Sequence, residues 1–159
     1  VIFKMAAPMF KKYFQNLGDL SLENVCFRYI PLAGGASCLA FSVNILNSAD
    51  FNRVFGDNNL VAANSLWLNS HLGVGLYLYS RKHIKRAPLP KRILFSVFGS
   101  AMFNFAVVLM WASAKQVVLP DKPAIKTLFG LVSGATMLAI GREYLKYVDC
   151  QAGNMLNEE

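Results

Sequence analysis

Residues 58–92 read NNLVAANSLWLNSHLGVGLYLYSRKHIKRAPLPKR. The first 23 of them, Asn58–Ser80, hold no Lys, Arg, Asp or Glu, whereas the next twelve hold six Lys or Arg and two Pro. A chain changes this abruptly where it leaves hydrocarbon for water. A bilayer core about 30 Å thick is crossed by about 20 mostly apolar helical residues, so the uncharged run is long enough. In lipid such a run must be helical, because no water is present to satisfy its backbone groups.

The same alternation extends along the chain in both directions. Tyr29–Ala49 is uncharged over 21 residues, Ile93–Ala114 over 22 and Thr127–Gly141 over 15. Only 16% of residues are charged and 55% are hydrophobic, against about 25% charged in an ordinary soluble domain. A soluble bundle needs polar outward faces, which runs of this length do not supply. The reading is an all-α, polytopic integral membrane protein with four transmembrane helices in a compact bundle, residues 1–159 forming a single membrane domain. The spans are placed at 29–48, 59–80, 93–114 and 124–145, joined by a basic loop at 81–92. A basic segment at 1–27 precedes them and a polar tail at 146–159 follows. The fourth run is short, since fifteen residues rise about 22 Å. It gains length from its flanks if Lys126 and Arg142 snorkel.

Four spans put the N-terminus, the 81–92 loop and the C-terminus on one side. That side carries Lys4, Lys11, Lys12, Arg28, Arg81, Lys82, Lys85, Arg86, Lys91, Arg92, Arg142 and Lys146. The opposite side carries Arg53, Lys115, Lys122 and Lys126. Twelve cations against four place the first group inside. The loop cations Arg81, Lys82, Lys85, Arg86, Lys91 and Arg92 thus read as a topology signal, with anionic lipid as a further contact. No stacking aromatics accompany them, so nucleic acid is not an expected partner. Pro88 and Pro90 break any helix there.

The chain offers little recognisable chemistry. No carboxylate lies in the middle of a span, which argues against proton-coupled transport. No nucleotide-binding, metalloprotease or nucleophile-elbow motif is present. Cys26, Cys38 and Cys150 have no metal-ligand or disulfide spacing; catalytic residues and metals are expected to be none. His71, inside the second span, is the ionisable side chain that calls for explanation. With Asn64, Asn69 and Asn104 it forms the set of candidate intramembrane polar or ligand residues. The local HLGVG, residues 71–75, is similar to the haem-ligand span of the small membrane anchor of succinate dehydrogenase. That resemblance covers five residues and assigns no family to the chain. It implies His71 as an axial haem ligand, with Gly73 and Gly75 giving a macrocycle room; the second ligand would come from a partner, because His83 lies in the basic loop. The simpler reading is a neutral histidine hydrogen-bonded across a helix contact, with no cofactor.

Each span also carries small residues on one face, which let helix backbones approach. The packing glycines are Gly34 and Gly35 in the first span, Gly99 in the third, and Gly130 and Gly134, a GxxxG, in the fourth. The functional expectation follows from a surplus of packing faces over chemistry: not an enzyme, but an accessory subunit, assembly factor or scaffold partnered by lipid and other membrane proteins. The alternative is a small transporter or channel with a polar path along Asn64 and His71, followed by a haem-binding anchor. A basic, acid-poor start and the lack of Asn-x-Ser/Thr sequons favour the mitochondrial inner membrane over the endoplasmic reticulum. The internal MAAP at residues 5–8 suggests a start at Met5, with Val1–Lys4 upstream of it.

Overall fold

A computed structural model of the chain describes residues 21–117 and 119–154. The expectations for Val1–Lys4, the rest of 1–20 and the tail beyond 154 fall outside those residues. Among the described residues there are helices and no strands. Four are long: α1, Leu22–Leu46; α3, Asn59–Tyr79; α5, Leu89–Val117; and α6, Pro123–Asn154. Two short ones connect them: α2, Ser48–Phe55, and α4, Lys82–Lys85. Three of the long helices, α1, α5 and α6 (Pro123–Gly153 of the last), are long and apolar enough to cross a membrane. Helix α3 is not among them. Asn59, Asn64, Asn69, Ser65, Ser70 and His71 dilute its apolar content.

Helix α1 contains Pro31, which has no N–H to give to Phe27. The turn before it, Val25–Tyr29, widens to a π turn in which the Ile30 N–H reaches back to the Val25 carbonyl. Such a bulge lets the chain pass a proline without ending the helix. At its far end α1 stops at Asn47, whose side chain accepts from the Asp50 N–H and caps α2. Helix α2 buries Phe51 and sets it against the tilted Phe55 ring at 4.5 Å, with Arg53 and Asp50 paired outside at 3.3 Å. Gly56, at φ +54°, makes the turn into α3.

Several boundaries differ from the sequence expectation: α1 begins at Leu22 rather than at residue 29, and α5 ends at Val117 rather than at 114. Helix α5 begins at Leu89, a turn before residue 93, because Pro90 sits in its first turn, where no N–H is required. Pro88 and Pro90 therefore start a helix, and the loop also contains the turn α4. Helix α6 runs on to Asn154 rather than ending at 145. Lys146 pairs with Glu143 at 2.6 Å and Gln151 donates to the Tyr147 hydroxyl at 2.9 Å, contacts at the i+3 and i+4 spacings that support a helix. Its 32 residues rise about 48 Å, more than a hydrocarbon core.

The interior is unusual for a protein in water. Trp111, Val107, Leu46 and Cys38 form the apolar centre. Around it Ser37, Ser42, Asn47, Ser70, Ser96, Ser100 and Asn104 are all buried. Meanwhile Ile93, Leu94, Val97, Phe98, Met102, Phe105 and Leu109 of α5 point outward. Small and polar residues within, large apolar ones without, suit a solvent as apolar as leucine.

Candidate functional site

The middle of the bundle is a polar layer built across α1, α3 and α5. Helices α1 and α3 touch backbone to backbone: a Cβ on Gly34 would stand 2.6 Å from Gly73 Cα, and the reverse is equally tight. This contact brings Asn69 of α3 to Ser37 of α1, its amide donating to the hydroxyl at 2.7 Å. On the other face of α3, Ser70 Oγ donates to Asn104 Oδ1 at 2.6 Å. The Asn104 amide donates to the Ser100 carbonyl at 2.9 Å, and Ser100 Oγ donates to the His71 carbonyl at 2.6 Å. Helix α6 joins through its GxxxG. A Cβ on Gly130 would be 2.7 Å from Ser42 Oγ, and one on Gly134 would be 2.8 Å from Leu39 Cδ2 and 3.0 Å from Trp111 Cζ2. Trp111 Nε1 donates to Ser133 Oγ at 3.0 Å.

Among the packing glycines, Gly34, Gly130 and Gly134 thus meet a neighbouring helix directly. Gly99 faces Leu78 at 2.8 Å, whereas Gly35 has Leu138 no nearer than 3.6 Å. Gly73 is a packing glycine that entered the sequence reading only as room for a macrocycle. Its signal was available only in register with Gly34.

Of the intramembrane candidates, Asn69 and Asn104 are brought together with Ser37 and Ser70, and Asn64 is exposed on α3. His71 lies between Trp67 (4.2 Å) and Phe105 (6.0 Å). Its Nδ1 is 2.9 Å from the Trp67 carbonyl. A carbonyl only accepts, so Nδ1 donates to it within the same helix, and Nε2 is buried without a partner. The surroundings do not fit haem. The face at Gly73 is filled by α1, and Gly75 packs on Ser100, whose Cβ would be 3.7 Å from an added methyl. A macrocycle laid against these glycines would displace a helix. Among the described residues no group of three or more His, Cys, Asp or Glu could hold a metal ion.

No protein-family model, curated protein or solved structure matches the chain.

The basic loop folds back on the helix ends. The Arg92 guanidinium lies 3.5 Å above the Tyr79 ring and its Nε donates to the Tyr79 carbonyl at 3.1 Å. Arg81 covers Tyr77 at 4.2 Å. Asp149, from the unforeseen extension of α6, accepts from the His83 backbone N–H at 3.0 Å and from its Nδ1 at 2.7 Å. Arg81 approaches the same carboxylate at 3.8 Å, and Arg86 donates to the Ala152 carbonyl. Lys82, Lys85 and Lys91 remain exposed. At the opposite end Lys115 Nζ donates to the Ile45 carbonyl at 2.8 Å, a cation on the C-terminal turn of α1. Beyond it, the hydrogen bond from Lys126 holds the Asp121 carboxyl below its usual range.

The polar layer yields a prediction. Asn104→Leu strands the Ser70 hydroxyl and lowers stability in detergent by about 1–2 kcal/mol. The double variant Ser70→Ala/Asn104→Leu recovers part of that loss, because both partners are then apolar. Thermal unfolding followed by helicity reads both. Strictly additive losses would show that the 2.6 Å contact is not formed.

Proposed function

We propose that this chain is a four-span membrane protein acting as an accessory subunit, assembly factor or scaffold through helix packing. The carrying observation is the use made of its polar side chains. Ser37 and Asn69, Ser70 and Asn104, and Trp111 and Ser133 are each joined across a helix pair. Asn64 is exposed while His71 is enclosed by Trp67 and Phe105, which offers no support to a polar path shared by the two. The outer faces of α5 and α6 are left apolar, ready for lipid or for another protein's helices.

Chain direction supports the reading of four crossings. The last turns of α1 and α5 meet at Lys115 and Ile45, so these two helices run the same way. If both span, α3 must bring the chain back. It can do so with six or more polar residues because Ser70 is buried and Asn69 bonds to Ser37. The basic end faces inward by the positive-inside rule, and the mitochondrial inner membrane is the favoured location.

Native protein extracted in mild detergent is expected to run as part of a larger particle with a stable partner, and to carry no solute flux in liposomes. A lone monomer without partners, or measurable flux, overturns the proposal.

A further inference from the structure

A cavity of about 750 Å³ opens at the basic end between α1, α3, α5 and α6. Its two halves differ in chemistry. Arg28, Arg81, Arg142 and Lys146 line it near the helix ends, with Glu23 the acid among its lining residues. Deeper, the wall is Gly35, Gly73, Gly99, Phe103 and Leu138. Asp149 approaches Arg81 and Glu143 pairs with Lys146, so these four cations meet three carboxylates and the outer part keeps one net positive charge. Arg81 Nε is buried there without a hydrogen-bond partner, although its terminal nitrogens reach Tyr77, Ser80 and Asp149. A buried guanidinium N–H without an acceptor is costly, and an anion at this place would remove the cost.

The glycines supply a second, independent observation. Gly34, Gly73, Gly130 and Gly134 are small because a neighbouring atom lies within 2.6–2.8 Å of where a Cβ would be. Gly35 and Gly141 have no such reason. Their added Cβ atoms would meet Leu138 at 3.6 Å and Phe103 at 3.9 Å, ordinary contacts. Both line the cavity, so helix packing would admit larger side chains at exactly the places that keep the space open.

We propose that this cavity binds one anionic phospholipid, its phosphate held by the Arg28, Arg81 and Arg142 guanidinium groups and one acyl chain lying in the glycine-walled depth. Guanidinium forks match phosphate oxygens, and the volume is that of a small-ligand pocket of about 300–1,000 Å³. It accommodates one acyl chain, with the second chain on the apolar outer surface. This site requires the chain to sit in a membrane and does not depend on its being a scaffold.

The test uses the full chain in detergent micelles doped with phosphatidylglycerol or with phosphatidylcholine of the same acyl chains, and native mass spectrometry of the retained lipid. Phosphatidylglycerol is expected to be retained about tenfold better. Inorganic phosphate in excess should not displace it, since phosphate brings no acyl chain. Gly141→Leu fills the depth and should abolish retention of both lipids. Arg28→Gln/Arg142→Gln should erase the preference while leaving weak retention of each. Equal retention of the two lipids by the unaltered chain overturns the proposal even if no variant folds. So does displacement by inorganic phosphate, or full phosphatidylglycerol binding by a helical Gly141→Leu protein.

Discussion

Gly34→Leu is expected to prevent α1 and α3 from docking, with loss of the cooperative thermal transition in detergent and aggregation on extraction. The reason is geometric. The first added carbon would lie 2.6 Å from Gly73 Cα, 2.8 Å from the Asn69 carbonyl oxygen and 3.1 Å from the Gly73 nitrogen. These are backbone atoms of a rigid helix, so no rotamer change makes room. Overpacking that side chains can absorb costs about 1–3 kcal/mol; here the whole of α3 must move. Separation also breaks the Asn69–Ser37 hydrogen bond and shifts α3 against α5, where Ser70 and Asn104 are matched. Gly73→Leu should fail in the same way, since its Cβ meets Gly34 Cα at 2.6 Å and the Ile30 carbonyl at 3.0 Å. Gly35→Ala, one residue along, is the control and should unfold near the unaltered temperature. Equal melting of Gly34→Leu and Gly35→Ala would mean that the two backbones do not touch.

These contacts show what can be read in one dimension. The long uncharged runs announced four helices, three of which are long and apolar enough to cross a membrane, and small residues on each announced that the helices pack closely. Gly130 and Gly134 were legible as a motif within a single helix. Gly73 was not: its partner is Gly34, and the register between two helices is set by the sum of their contacts. Asp149 was hidden for a related reason. It is 66 residues from His83 and lies on turns of α6 that read as a polar tail, since hydropathy ends a span at the first charges even where the helix continues. Helix α2 was missed because eight residues with Asp50 and Arg53 look like the end of a span. The three apolar helices were plain, whereas α3 reads as a span or as a polar helix depending on whether its Asn and Ser side chains are matched by neighbours.

The largest single-side-chain effect is expected at Trp111, which is completely buried. It lies where α5, α6 and α1 converge, on Gly134 and in the cluster of Cys38, Leu46 and Val107. Trp→Ala in a protein core costs about 3–5 kcal/mol. Part of that figure is transfer from water, and this part shrinks when the reference surroundings are lipid. What remains is the cavity, the lost dispersion contacts and the Ser133 hydroxyl deprived of its donor at 3.0 Å. Trp111→Ala should therefore lower stability by about 3 kcal/mol, enough to move the thermal transition down by several degrees in a chain of this size. Trp111→Phe keeps most of the ring and loses the N–H, so it should cost about 1 kcal/mol. The order matters more than either value. In a helix bundle held mainly by the hydrogen bond, the Phe and Ala variants would melt together. One held by close packing separates them, and the glycine beneath the indole, with room for nothing larger, is the reason to expect that result.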